Sequence, residues 1–321
     1  MTRMQGVSSL SEKSPWFQLL VLIVYVFIIG GLIFLVLLIP GLFIFDPSSD
    51  LFKDSFSNPG RNDAGFLLYI MISQHLSLFI LPGFILLPRI AGNKSGNFPE
   101  FNNPGWSSVW KAIILFICMV PVISLSAELN LLIKLPQGLS GIAEWIRERE
   151  NYSEKIFDMF FVYKSLIFVI CNSFMLVILP GIGEELIFRG LLQPVIGRIL
   201  KSDNLAVIIT AAIFSAGHLE FYGFIPRFVI GLLLGFIFLW TGKLWLSIVL
   251  HSMNNALVLI AGYAGGPGQS SVQEPGYLLA GQIVLMLILL FPAIKMLKEF
   301  RMQYSPRPPD SVPESIQADL M

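Results

Sequence analysis

Apolar residues run along this chain in blocks of roughly 20, the length a helix needs to cross the hydrocarbon core of a bilayer. The blocks lie near 17–45, 65–88, 108–127, 161–188, 204–220, 223–241, 244–262 and 278–296, which predicts eight transmembrane helices. The first block is longer than the apolar region of a signal peptide and has no evident small-residue cleavage site, so it is expected to be a retained span. Between the third and fourth blocks, Ile142 to Lys155 is too charged to span, yet it interleaves Ile142, Trp145 and Ile146 with charge. That pattern predicts a short interfacial or soluble helix. After Tyr304 there are four prolines in 17 residues, so 305–321 reads as a disordered tail. No internal repeat and no separate soluble domain is visible. The expectation is an all-α polytopic protein in which 1–304 forms one integral membrane domain.

Loop charge supports the count. The stretch 46–64 has four aspartates against Lys53 and Arg61, and 263–277 has no Lys or Arg. By contrast Arg89, Lys94 and Lys111, then Arg189, Arg198 and Lys201, then Lys295, Lys298, Arg301 and Arg307 mark three basic stretches. An alternating assignment with both termini cytoplasmic places these as the positive-inside rule requires. The loop 128–160, with Lys134, Arg147, Arg149 and Lys155, is the exception, although acidic residues are interspersed there.

Composition agrees, with 55% hydrophobic residues, 13% charged residues and a mean hydropathy of +0.74 over 321 residues. A formal net charge of +0 offers no basic field for nucleic acid. Expected partners are the lipid bilayer and a membrane-associated protein or peptide, and the expected location is a cell membrane. Cys118 and Cys171 both lie in apolar stretches and read as small core residues.

An ionisable side chain at the centre of a spanning helix costs about 2.5–3.5 kcal/mol on insertion scales, so it is expected to face a protein interior or cavity. The candidates are Glu184, Glu185, His218 and His251. His75 is expected to be structural, making a helix–helix hydrogen bond. Glu220 and Arg227 lie near a turn and are expected to snorkel to the interface. In the string GIGEELIFRG, Glu185 and Arg189 stand at i,i+4, where the guanidinium can neutralise the carboxylate. Glu184, about 100° round the helix, is left without a local partner. Pro180-Gly181-Ile182-Gly183 weakens the preceding turn, and such a break lets water or an extended peptide approach.

Depth points the same way. Lys201-Ser202-Asp203 reads as a helical-hairpin turn, and Glu184 and His218 each lie 17 residues from Lys201. At 1.5 Å per residue both stand about 25 Å from the turn, at one level. His251 shares a helix face with Asn255 at i+4. A carboxylate base, a histidine at its level and a His/Asn pair supply what water-driven amide hydrolysis needs: a proton acceptor for water and donors for the developing oxyanion. A zinc site made of Glu184, His218 and His251 is the nearest alternative, but there is no HExxH helix, and Asn255 and Arg189 have no place in such a ligand set. No cofactor is expected. A proton relay in a transporter, or a scaffold for partner helices, is the non-enzymatic alternative.

Glu184-Glu185-x-x-x-Arg189, Phe214-x-x-x-His218 and His251-x-x-x-Asn255, in that order, resemble the three motifs of the CPBP family. That family comprises type II CAAX prenyl proteases and bacteriocin-processing or immunity-related membrane proteins, also called Abi. The resemblance covers about 166–262. It implies an intramembrane glutamic endopeptidase in which Glu184 activates water, His218 helps to orient that water, and His251 with Asn255 forms an oxyanion hole. Glu185 and Arg189 would support the site, and Phe214 would pack on the His218 face.

Overall fold

A computed structural model of the chain describes residues 10–46, 61–91, 106–265 and 276–304. The expected tail at 305–321 and much of the loops expected at 46–64, 89–111 and 263–277 lie outside the described residues. Among the described residues the regular structure is helical throughout, with no strand. The long elements are α1 (Pro15–Phe45), α2 (Asp63–Ile90), α3 (Trp106–Leu131), α4 (Ser140–Val162), α5 (Leu166–Leu200), α6 (Asp203–Ala216), α7 (Phe224–Thr241), α8 (Leu244–Gly265) and α9 (Gly276–Tyr304). Six of them, α1, α2, α3, α5, α7 and α8, are long and apolar enough to cross a membrane. The protein is a multi-pass integral membrane protein.

Three sequence expectations are corrected here. The fourth span does not end at 188: α5 continues to Leu200, so Arg189 is a buried helix residue and not a loop charge. Nor does α5 break at Pro180. Wider π-helical turns at Phe174–Ile178 and Leu186–Leu192 flank the α-helical piece Leu179–Glu185, and the first falls just where the proline removes a backbone donor. The helix thus keeps its course and carries both glutamates inside. The fifth span is shorter than 204–220, because α6 stops at Ala216. Its 14 residues rise about 21 Å, less than the ~30 Å hydrocarbon core, so α6 does not span alone. Apolar sequence continues past Ala216, but Gly217 caps the helix and Leu219 takes a left-handed φ of 56°.

The turn after α6 is held by side chains from distant helices. Asn130 of α3 donates to the Phe221 carbonyl at 2.8 Å and accepts from the Ile225 amide at 2.9 Å. Glu150 of α4 accepts from the Tyr222 amide at 2.8 Å. Irregular backbone in a membrane protein must be satisfied internally, and these bonds do that. The charged segment 142–155 forms part of α4, a helix as expected.

The α5–α6 hairpin turns where the sequence places it, with Lys201 left-handed at φ 52° and the Ser202 hydroxyl accepting from the Leu205 amide. The α7–α8 turn uses Gly242 at φ 66°. Glycines set the closest contacts between helices. A Cβ on Gly181 would overlap the Ser252 hydroxyl, so α5 and α8 approach there as only glycine allows. Buried Asn172 of α5 donates to the Phe160 carbonyl of α4 and to the Tyr263 hydroxyl of α8, tying three helices together. Cys118 is buried in α3 and Cys171 is half-buried in α5; both are free thiols, as core residues should be.

Candidate active site

The residues singled out in the sequence come together on one cavity of about 410 Å³. Glu184 from α5, Phe214 and His218 from the end of α6 and just beyond it, and His251 with Asn255 from α8 all line it. The equal spacing of Glu184 and His218 from the hairpin turn therefore does bring them to one place.

Two neighbouring glutamates have opposite surroundings. Glu185 is fully buried, and its Oε1 accepts from Arg189 Nη1 at 2.7 Å and from His251 Nδ1 at 2.8 Å. Arg189 also donates from Nη2 to the Gly231 carbonyl of α7 at 3.0 Å, and its guanidinium lies 4.8 Å over the Phe214 ring. Phe214 packs edge-on against Phe188, His218 and His251. It is a spacer that sets the distance between the two histidines from the protein side. Glu184 faces the cavity instead. Its nearest polar neighbours are His75 Nε2 at 3.7 Å from Oε1 and His251 Nε2 at 3.9 Å from Oε2. Among the described residues Oε2 has no hydrogen-bond partner.

His75 is the correction that matters most. Expected to be a structural residue of the second span, it stands beside Glu184 on the cavity wall. All three histidines of the chain thus meet at one carboxylate. Hydrogen bonding fixes their orientation in the same sense. The Nδ1 atoms of His75 and His218 lie 2.9 Å from the carbonyls of Met71 and Phe214, and that of His251 lies 2.8 Å from Glu185. A carbonyl only accepts, as does a carboxylate paired with arginine, so each Nδ1 is the protonated donor. Each Nε2 is then the nitrogen left for other partners, and those of His75 and His251 lie 3.7 and 3.9 Å from the Glu184 oxygens.

Two further lining residues escaped the sequence reading. Asn254 donates from Nδ2 to Asn255 Oδ1 at 3.4 Å, which leaves the Asn255 amide nitrogen uncommitted to that bond. Arg227, expected to snorkel outward, lines the cavity and pairs with Glu220. A count of polar residues near α8 would have found Asn254. For Arg227 the signal was its place in the first turn of α7, two turns after His218.

Among the described residues, no group of three His, Cys, Asp or Glu side chains has the geometry to hold a metal ion. Residues 166–257 match the family model described as type II CAAX prenyl endopeptidase Rce1-like. This segment is similar to the CAAX protease family. The match covers α5 through most of α8, the segment that carries Glu184, Glu185, Arg189, His218, His251 and Asn255. His75 lies outside it. No curated protein and no solved structure matches the chain. The match supports a CAAX-type intramembrane protease, a hydrolase, and fits a membrane-associated protein as its substrate.

Proposed function

We propose that the protein is an endopeptidase that hydrolyses a peptide bond of a membrane-associated, prenylated or leader-bearing substrate with water activated by Glu184, without a metal. The observation that carries this reading is the contrast between the two glutamates: Glu185 Oε1 is held by Arg189 and His251 away from the cavity, while Glu184 lines the cavity beside His75, His218 and His251.

In this mechanism water attacks the scissile carbonyl carbon as Glu184 takes one of its protons. The carbonyl oxygen becomes an oxyanion, held by the Asn255 amide and by His251. Because His251 Nδ1 already donates to Glu185, its Nε2 donates to the oxyanion as imidazolium, with Glu185 balancing the charge. The tetrahedral intermediate collapses, the C–N bond breaks, and the proton on Glu184 passes to the leaving amine. His218 orients the water. His75, facing the other oxygen of Glu184, holds the carboxylate in its attacking position. Glu185 and Arg189 fix His251, and Phe214 spaces His218 from His251.

The test is cleavage of farnesylated and unmodified peptides by the purified full chain in liposomes, with and without a chelator. Glu184→Gln is expected to lower kcat by about 10²–10⁴-fold, with the wild type indifferent to chelator. Cleavage that survives in Glu184→Gln rejects the glutamate as base, and chelator-sensitive cleavage replaces it with a metal-activated water.

A further inference from the structure

The cavity wall carries a cation that the hydrolysis does not use. Arg227, in the first turn of α7, is the one Lys or Arg among the described residues lining the cavity. Its Nη2 pairs with Glu220 on the turn after α6, but Nη1 is buried and, among the described residues, has no hydrogen-bond partner. A guanidinium donor withdrawn from water without an acceptor is costly, and proteins keep such donors where a ligand supplies one. The guanidinium also lies where a Cβ on Gly223 would be, so the cradle exists only because residue 223 is glycine. The N-terminal end of α7, with Gly223 as its cap, adds positive potential at the same spot. Arg227 lines the same cavity as His218 and Glu184, which puts it on the wall of the reacting centre.

The geometry points to Arg227 as a carboxylate subsite: Nη1 binds a carboxylate of the peptide substrate, and so selects peptides with that group a few residues from the scissile bond. This rests on Glu184 being the centre of hydrolysis. A cavity of about 410 Å³ is in the lower part of the range for small-ligand pockets, so it holds a short stretch of peptide. A carboxylate reaching Arg227 must therefore belong to residues close to the cleaved bond. The singly charged group suits the site, since Glu184 shares the cavity and disfavours an anion of higher charge. Two sources have this chemistry, the C-terminus of the chain being cut and an acidic side chain near it.

Binding in the Glu184→Gln background separates recognition from turnover. The probes are a short farnesylated peptide with a free C-terminal acid, the same peptide as its C-terminal amide, and an amide carrying one added aspartate. All are titrated against full-length protein in liposomes. The free acid, or else the aspartyl amide, is expected to bind about 10- to 100-fold tighter than the plain amide, and whichever does so names the source. The preference should vanish with Arg227→Gln added and persist in reduced form with Arg227→Lys. Glu220→Gln, which leaves Arg227 in place, should keep it and so reports even if Arg227→Gln fails to fold. Equal binding of all three probes, binding of none, or a preference that survives Arg227→Gln overturns the subsite. Cleavage by the wild type decides the proposed function separately: a preference without cleavage rejects the hydrolysis and keeps the subsite, and cleavage without preference does the reverse.

Discussion

Glu185 and Arg189 pair in the middle of α5 with no exposed side-chain surface, whereas Glu220 and Arg227 pair across the turn after α6 with 34% and 28% of their side-chain surface exposed. Both pairs touch the machinery of one cavity. The first is closed, because its guanidinium also bonds the Gly231 carbonyl and stacks on Phe214, and its carboxylate reaches on to His251. The second is open, because both of its side chains are partly exposed and Arg227 Nη1, packed against Gly223, has no hydrogen-bond partner among the described residues. A buried pair with no freedom serves to hold other groups. A half-exposed pair with a donor to spare can exchange partners. Sequence alone gives the two pairs the same letters, and only their packing separates support from recognition.

Breaking the closed pair should have the largest effect. Arg189→Met leaves Glu185 as a buried charge without its cation, and removal of one partner from a buried pair costs about 3–5 kcal/mol. Arg189 Nε and Glu185 Oε2 already lack hydrogen-bond partners among the described residues, so the pair itself is not a strong net source of stability. Glu185→Gln combined with Arg189→Met should therefore recover most of the loss. Unfolding in detergent, followed by loss of helix signal, measures both. Activity should stay low in the double variant, since His251 then lacks the carboxylate that balances its charge. Recovered activity would mean that Glu185 only stabilises the fold.

Glycine substitution sharpens the same contrast at the next size of effect. Gly181→Ala drives a methyl into Ser252 on α8, with the Ile248 carbonyl close behind, and overpacking of this kind costs about 1–3 kcal/mol. Gly223→Ala meets only the end of the Arg227 side chain, which can swing aside. The first change should lower stability and push Glu184 away from His251. The second should leave the melting temperature nearly unchanged and weaken the preference for a carboxylate. If Gly223→Ala unfolds the protein instead, the open pair is more rigid than its exposure implies.

How far the sequence carried the reading follows from the same physics. The pair at Glu185 and Arg189 was legible because i,i+4 spacing is a property of a single helix. Glu184 and His218 could be matched in level because a hairpin turn gives both arms one origin. His75 was not legible: hydropathy identifies α2 as a span but does not say which of its faces meets α5, and the family match begins only at residue 166. Arg227 was misread because its place depends on where α6 ends. The apolar pattern runs on past Ala216, whereas the Gly217 cap, left-handed Leu219 and the bonds from Asn130 and Glu150 turn the chain inward. Those contacts come from residues 72 to 95 positions away, beyond any local pattern.

The smallest expected effect bears most directly on the comparison. Glu220→Gln removes the outward acceptor of Arg227 at a site where both side chains meet water, and exposed pairs of this kind contribute about 0–1 kcal/mol. Stability should change within that range, and the little that changes should shrink further in high salt, where exposed charges are screened. Nη2 would then be released alongside Nη1, so that both nitrogens can meet one carboxylate as a fork. Binding of the free-acid peptide should become tighter by less than about tenfold, in proportion to the weak competitor removed. A loss of binding in Glu220→Gln would show that Glu220 holds the guanidinium in place for its ligand, and the outer pair would then be a support like the inner one.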